Sequence, residues 1–235
     1  MAGHGYTRNI STLNIMIKCF VTIFNRFTWA MPLCKDLKDA GLEVIIIDND
    51  STFAPCVEWL KNCEYKIEKM DHNCGPWAFD KTDLCKKYTD RFYFLCDSDI
   101  SISDVPKDFP DHLMRGLEKS DKDIWKVGLS FEINDLPDNI CTRQAIIHEK
   151  AFWGNMTDFG FHKAWIDIGC TVHDREKKGQ WYSALRSDRP YTGRHLDWYM
   201  TEAREEDLYF LELTKEYYGW LRKWYDEVIL LKPPR

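Results

Sequence analysis

The stretch RFYFLCDSDI, residues 91–100, decides how the chain reads. Phe92 to Cys96 form an apolar, aromatic-rich run with no polar interruption, the pattern of a strand buried on both faces. Asp97 and Asp99 follow at once. Side chains two apart on an extended chain share a face, so the end of this strand delivers two carboxylates to one edge of a sheet.

The segments upstream place that strand in an alternating α/β pattern. Ile15 to Phe24 reads as a first strand, and Asn25 to Thr28 as the turn into a helix with Pro32 near its start and Leu33, Leu37 and Ala40 on one face. Gly41 ends that helix. Glu43 to Ile47 is a second strand, followed by Asp48-Asn49-Asp50-Ser51-Thr52, and a helix through Val57 and Leu60 comes next. Tyr65 to Met70 reads as a third strand, His72 to Pro76 as a turn, Trp77 to Tyr88 as a helix, and Arg91 to Cys96 as the fourth strand. A helix over Asp111 to Lys119 and a strand over Lys126 to Ile133 complete the regular part. Residues 134–199 are rich in Gly, Trp and charge without clear periodicity, the character of a substrate-shaping region. A final helix is expected with Thr201 as N-cap, acidic residues in its first turn, and Leu208, Leu211, Trp220 and Trp224 on its apolar side.

In open α/β sheets ligands bind beyond the carboxyl ends of the strands. The polar residues there are Asn25 and Arg26, then Asp48, Asn49 and Asp50, then Asp97 and Asp99. Asp97 and Asp99 suit a hard divalent cation, Mg²⁺ or Mn²⁺, which could bridge to a diphosphate. The net charge of −6, with no run of more than two adjacent basic residues, argues against a nucleic-acid partner. It also means that an anionic ligand needs a bound cation. For Asp48 and Asp50, turn chemistry after a strand is an equal reading.

The nine cysteines are scattered without a CxxC or a Cys/His zinc spacing, and are expected to be reduced and mostly buried. The apolar run from Ile15 to Phe24 contains Lys18 and is too short to span a bilayer. A cytoplasmic protein without a membrane span is the expectation. The 14% aromatic content suits both sugar stacking and core packing, so it discriminates nothing alone.

The segments VTIFNRFTWA, VIIIDNDST, HNCGPWAF and FLCDSDI, in that order, resemble the GT-A-fold glycosyltransferases, family-2-like enzymes in particular. The resemblance covers residues 14–133. It implies a Rossmann-like, mainly parallel central sheet flanked by helices, with a C-terminal helix. Residues 1–235 would form one domain, comprising a nucleotide-sugar-binding half (14–133) and an acceptor half with the C-terminal helix (134–235). It also implies a metal-dependent transfer of a sugar from a nucleoside-diphosphate sugar, usually a UDP-sugar, to a glycan or other hydroxyl acceptor.

On that resemblance, Thr22, Asn25, Arg26 and the Asp48 to Asp50 segment cradle the nucleoside. The second strand ends in DNDS where DDGS is commoner, which leaves the base-contacting residue open among Asp48, Asn49 and Asp50. Asp97, Ser98 and Asp99 form the DxD element that serves the ribose and the metal. The stretch RPYTGRHLDWY, residues 189–199, resembles the loop that folds over the donor, with His195 as third metal ligand and Arg189 or Arg194 on the diphosphate. Asp167, set between apolar residues in KAWIDIGC, is the candidate general base of an inverting single displacement, with Glu132, Glu149 and Asp158 as rivals. Two alternatives are a sugar-phosphate nucleotidyltransferase, whose usual Gly-rich basic loop IFNRFT lacks, and a non-catalytic carbohydrate- or nucleotide-binding module.

Overall fold

The expected strand–helix alternation is present in a computed structural model, which describes residues 16–214 and residue 226. In chain order, β1 (Lys18–Ile23), α1 (Ala30–Asp39), β2 (Glu43–Asp48), α2 (Ala54–Asn62), β3 (Lys66–Lys69) and β4 (Phe92–Asp97) fall close to their sequence-predicted positions. Two one-turn helices, α3 (Ala78–Lys81) and α4 (Leu84–Lys87), separate β3 from β4. Then follow β5 (Ile100–Ser101), α5 (Phe109–Lys119), β6 (Lys126–Gly128), β7 (Ser130–Phe131), α6 (Ile140–Lys150), β8 (Phe161–Lys163), β9 (Cys170–Asp174), β10 (Ala184–Ser187), β11 (Thr192–His195) and α7 (Glu205–Leu213).

Eight strands form one sheet in the order β3-β2-β1-β4-β9-β6-β10-β8. The pairings β1·β2, β1·β4, β2·β3 and β10·β6 are parallel, whereas β9 and β8 run against their neighbours. The sheet is therefore mainly parallel and flanked by helices, as a Rossmann-like α/β fold requires. A second, three-stranded sheet has the order β5-β11-β7.

Period-two alternation explains why β1, β2 and β4 read as unbroken apolar runs. Cys19, Val21, Ile23, Val44, Ile46, Phe94 and Cys96 pack on one face with Leu33 and Leu37 of α1 and Leu113 and Leu117 of α5. Phe20, Ile45, Ile47 and Leu95 pack on the other face with Ala78, Phe79, Leu84 and Tyr88. Each fully buried Ile or Phe contributes about 1.5–3 kcal/mol relative to exposure. A one-residue slip would carry these residues to the opposite face, so the register is strongly fixed.

Four sequence expectations are corrected. The helix over Trp77 to Tyr88 breaks at Thr82, whose hydroxyl donates to Ala78 O at 2.7 Å and accepts from Leu84 N–H at 3.3 Å, so a side-chain turn replaces the helical ladder. The strand over Lys126 to Ile133 divides between the two sheets. At the division the ladder to β10 gives way to side-chain bonds, Ser130 Oγ donating to Ser187 O at 2.6 Å and Ser130 N–H to Ser187 Oγ at 3.3 Å. The region 134–199 is not irregular, since it supplies α6 and four strands, including β9 inserted between β4 and β6. Finally, the last helix is capped by Arg204 rather than Thr201 and buries Glu206, Asp207, Phe210 and Leu211, while Leu208 is exposed. Trp220 and Trp224 lie outside the described residues.

Among the described residues no helix is long and apolar enough to cross a membrane. Cys19, Cys34, Cys56, Cys96 and Cys170 are free and buried.

One buried group ties the central sheet to pH. His173 of β9 stacks on Tyr93 and meets the Trp125 ring edge-on, with Nε2 2.8 Å from Thr171 Oγ1. Burial, reinforced by the positive charges of Lys126 and Arg175, pulls its imidazole from 6.5 down to about 3. The unfolded chain therefore takes up a proton that the folded chain refuses, and this contribution to stability is full above pH 6.5 and shrinks as pH falls toward 3. His173→Gln should flatten the acid limb of the urea midpoint plotted against pH. Coincident limbs for the two proteins would refute the assignment.

Candidate active site and metal centre

The first strand end turns sharply because Asn25 adopts φ 63°, a left-handed conformation that asparagine tolerates better than most residues. Asn25 Oδ1 accepts from the backbone N–H groups of Thr52 and Phe53, and Asn25 N–H donates to Ser51 Oγ at 3.0 Å. Asp48 Oδ1 accepts from Ser51 N–H at 2.8 Å. Asn25 and Asp48 thus fasten the ends of β1 and β2 to each other, the turn chemistry weighed for Asp48. Neither lines the cavity described next, and nor does Asp50.

That cavity, about 260 Å³, opens at the carboxyl ends of β1, β2 and β4. Of the sequence candidates, Thr22, Arg26, Asn49, Asp97, Ser98, Asp99, Asp167 and His195 line it. Asn49 ties down its rim: the side-chain amide donates to Asn73 Oδ1 and Gly75 O, and its oxygen accepts from Cys74 N–H. Gly75, at φ 74°, makes the turn that brings Pro76 against the cavity.

The small sheet builds the acidic centre. β5 and β11 are antiparallel, with His195 opposite Ile100, and Leu196 N–H donates to Asp99 O at 2.7 Å. This pairing carries His195 and Asp197 to Asp99, from which they are separated by 96 and 98 positions of sequence. One ligand atom from each of Asp99, His195 and Asp197 lies within 4.8 Å of the others. Asp99 Oδ1 and His195 Nδ1 are buried without a hydrogen-bond partner among the described residues. A carboxylate–imidazole–carboxylate group with ligand atoms this close, and with hydrogen-bonding capacity left over on Asp99 and His195, fits a divalent cation. The His195 ring is held flat against Trp198 at 4.8 Å and edge-on to Phe131 at 5.6 Å.

Asp97 sits differently from Asp99. Its Oδ2 accepts from Gly169 N–H at 2.9 Å, while its own N–H donates to Gly169 O. Burial, then the neighbouring Asp99 and Asp167 charges, push its carboxyl well above the usual range despite the Gly169 bond. Burial also raises Asp99, with Asp197 adding to it and His195 and Arg26 opposing.

Arg26 counters this charge from beneath. Its Nε donates to Asp207 Oδ1 at 2.9 Å, its Nη1 and Nη2 donate to the two Asp197 oxygens, and Nη1 is 3.9 Å from Asp99 Oδ2. Burial opposes the Asp197 carboxylate, but the Arg26 guanidinium outweighs it and holds that carboxyl below its usual value. The guanidinium lies over the Trp29 and Phe210 rings at 4.8 and 5.4 Å. Glu206 accepts from the N–H groups of Phe27 and Thr28, so α7 fixes the turn that presents Arg26.

Arg189 and Arg194 are engaged outside the cavity lining. Arg189 pairs with Glu132 at 2.8 Å and lies over the Trp153 ring at 4.3 Å, whereas Arg194 pairs with Asp135 and Asp104. Among the rivals to Asp167, Glu149 is buried against Arg186 at 2.6 Å and Glu132 is taken by Arg189. Asp158 lies on another surface, described below. Sequence reasoning passed over Asp197, Asp207, Asn73 and Phe210. Asp197 had a signal, since His195-x-Asp197 repeats the spacing of Asp97-x-Asp99 at a strand end.

No protein-family model matches the chain, and no curated protein matches it. Among solved structures, S. aureus TarS 1–349 in complex with UDP is 14% identical with a TM-score of 0.37, over 53% of this chain and 38% of that one. A 4-diphosphocytidyl-2C-methyl-D-erythritol synthase from Anaerococcus prevotii is 7% identical with a TM-score of 0.42, over 87% of this chain and 100% of that one. The apo-form glycosyltransferase GlyE of Streptococcus pneumoniae is 10% identical with a TM-score of 0.36, over 90% and 64%. Similarity at this level assigns neither an activity nor a residue role to this chain.

Proposed function

We propose that the protein is a metal-dependent glycosyltransferase that moves a sugar from a nucleoside-diphosphate sugar, with uridine the base the sequence resemblance implies, to a hydroxyl acceptor with inversion. The observation that carries this reading is the convergence of Asp99, His195 and Asp197, each offering a ligand atom within 4.8 Å of the others, in a cavity at the carboxyl ends of the parallel strands. Asp97 and Asp167 bring the carboxylates lining that cavity to four, and its arginine, Arg26, is already spent on Asp197 and Asp207. An anionic donor is therefore repelled unless a cation intervenes. Mn²⁺ or Mg²⁺ held by Asp99, His195 and Asp197 would supply that charge and stabilise the departing diphosphate.

The chain's own residues do the rest. Thr22, Asn49 and the Asn73 to Pro76 turn form the wall that suits the nucleoside, and Ser98 borders the ribose side. Asp97, anchored on Gly169, keeps the β4 and β9 ends together beneath the donor. Asp167 accepts the proton of the acceptor hydroxyl as its oxygen attacks the anomeric carbon. Lys126 Nζ donates to the Ile166 and Asp167 carbonyl oxygens and fixes that segment.

Release of UDP from UDP-glucose, UDP-galactose and UDP-N-acetylglucosamine by the purified chain with Mn²⁺ tests the reading. One donor should be split slowly, with Asp99→Ala reducing the rate to background and chelation doing the same. Turnover that survives both treatments would sink the proposal.

A further inference from the structure

A second, larger concavity lies away from the acidic centre. It has a volume of about 1200 Å³ and opens where the chain enters β6 and β10, at Ile124 and at Tyr182 and Ser183. Those are the amino ends of strands whose carboxyl direction leads to the candidate active site, so this groove faces the opposite edge of the sheet. Pockets for compact, drug-sized ligands span ~300–1,000 Å³, which makes this one fit for an extended ligand.

Phe152, Trp165 and Tyr182 line it, and Trp181, beside the groove, joins them into a row of ring contacts. Phe152 meets Trp165 at 4.9 Å, Trp165 meets Trp181 at 5.5 Å, and Trp181 meets Tyr182 at 5.7 Å, each pair tilted well away from parallel. Trp181 is 63% exposed and Tyr182 55%, an unusual degree for side chains of this size. The loop that bears them is firmly held. A Cβ on Gly179 would fall 1.8 Å from Asp123 O, Trp125 Nε1 donates to Gln180 O at 2.8 Å, and Lys177 Nζ donates to Leu117 O at 2.6 Å. Aromatic faces are thus presented to solvent in a fixed position, which lowers the entropy cost of using them.

The same groove also carries planar polar groups. The side chains of Asp121, Asp123, Asn155 and Asp158 line or border the groove and make no hydrogen bond among the described residues. Aromatic planes that accept the CH face of a ring, in one groove with carboxylate and amide groups whose oxygens and nitrogens are open to hydroxyls, match the two surfaces of a sugar. A protein-docking face is apolar at its centre and depleted in Asp, which this groove is not. Three aspartates against Lys119 and Lys163 also disfavour an acidic polymer.

We infer that this groove binds a neutral oligosaccharide chain, at a site separate from the reaction centre. Its purpose, to hold the distal part of an acceptor glycan, rests on the proposed glycosyltransferase reading, but the binding itself does not. Affinity electrophoresis of the full chain in native gels containing dextran, hydroxyethylcellulose, galactomannan or amylopectin tests it. At least one of these neutral glycans should retard the protein, and the double variant Trp181→Ala, Tyr182→Ala should weaken retardation roughly tenfold with an unchanged circular dichroism spectrum. Asp99→Asn should bind as the parent does, so that a failed active-site reading leaves this result intact. Absence of retardation by all four glycans, or retardation indifferent to the double variant, overturns the inference. So does sedimentation showing that the parent self-associates and the double variant does not, because the row would then be a contact between proteins.

Discussion

Replacing Arg26 with methionine should lower unfolding stability by about 3–5 kcal/mol, read as a shift of the urea midpoint at constant slope. The guanidinium is buried, donates to Asp197 and Asp207, and stands 3.9 Å from Asp99. Methionine fills similar volume and keeps contact with Trp29 and Phe210, so the loss is chiefly electrostatic: Asp197 and Asp99 lose the guanidinium between them, and Asp207 keeps only Arg204. Arg204 compensates Asp207 directly, its Nε already 2.8 Å from that carboxylate, and reaches Asp197 only through its charge. If a divalent cation binds at Asp99 and Asp197, Mn²⁺ should restore part of the deficit. At a concentration 100-fold above its dissociation constant the gain is about 2.7 kcal/mol. A loss below ~1 kcal/mol would mean that Arg26 is a surface-type pair and that the charge balance drawn here is wrong.

The metal affinities of single-site variants should fall into two groups. Asp99→Ala, His195→Ala and Asp197→Ala each remove one member of the converging set, and each should weaken Mn²⁺ binding by more than the ~10–100-fold typical of losing an outer partner. Asp97→Asn should cost less, because its carboxyl is tied to Gly169 N–H and it is absent from the set whose ligand atoms lie within 4.8 Å. Electron paramagnetic resonance of free Mn²⁺ gives the dissociation constants directly. Equal losses for Asp97→Asn and Asp197→Ala would shift the centre toward the paired aspartates of β4. Asp197→Ala also strips Arg26 of its main partner, so Asp197→Asn, which keeps the shape, serves as its control.

The half of the chain ending near residue 133 was legible because its signals are local. Unbroken apolar runs such as EVIII and RFYFLC, punctuated by polar turn residues, specify strands buried on both faces without reference to anything distant. The carboxyl ends of those strands then nominated Arg26, Asn49, Asp97 and Asp99, all of which line the cavity. Strands of two to five residues, such as β5, β7, β9 and β11, are too short for periodicity to reveal. The role of a polar residue at a turn was equally hidden: Asn25 and Asp48 look like ligand contacts in sequence, yet Asn25 Oδ1 and Asp48 Oδ1 accept from backbone N–H groups.

By itself, then, the sequence determined the α/β class, the direction of the first four strands and the acidic character of the edge where they end, because each depends on neighbours along the chain. Which carboxylates meet was decided only in three dimensions. The pairing of β5 with β11 brings His195 and Asp197 to Asp99, and the packing of α7 sets Asp207 and Glu206 around Arg26. Contacts of that kind join residues roughly a hundred or more positions apart, and no local pattern encodes a distance that only strand pairing and burial fix.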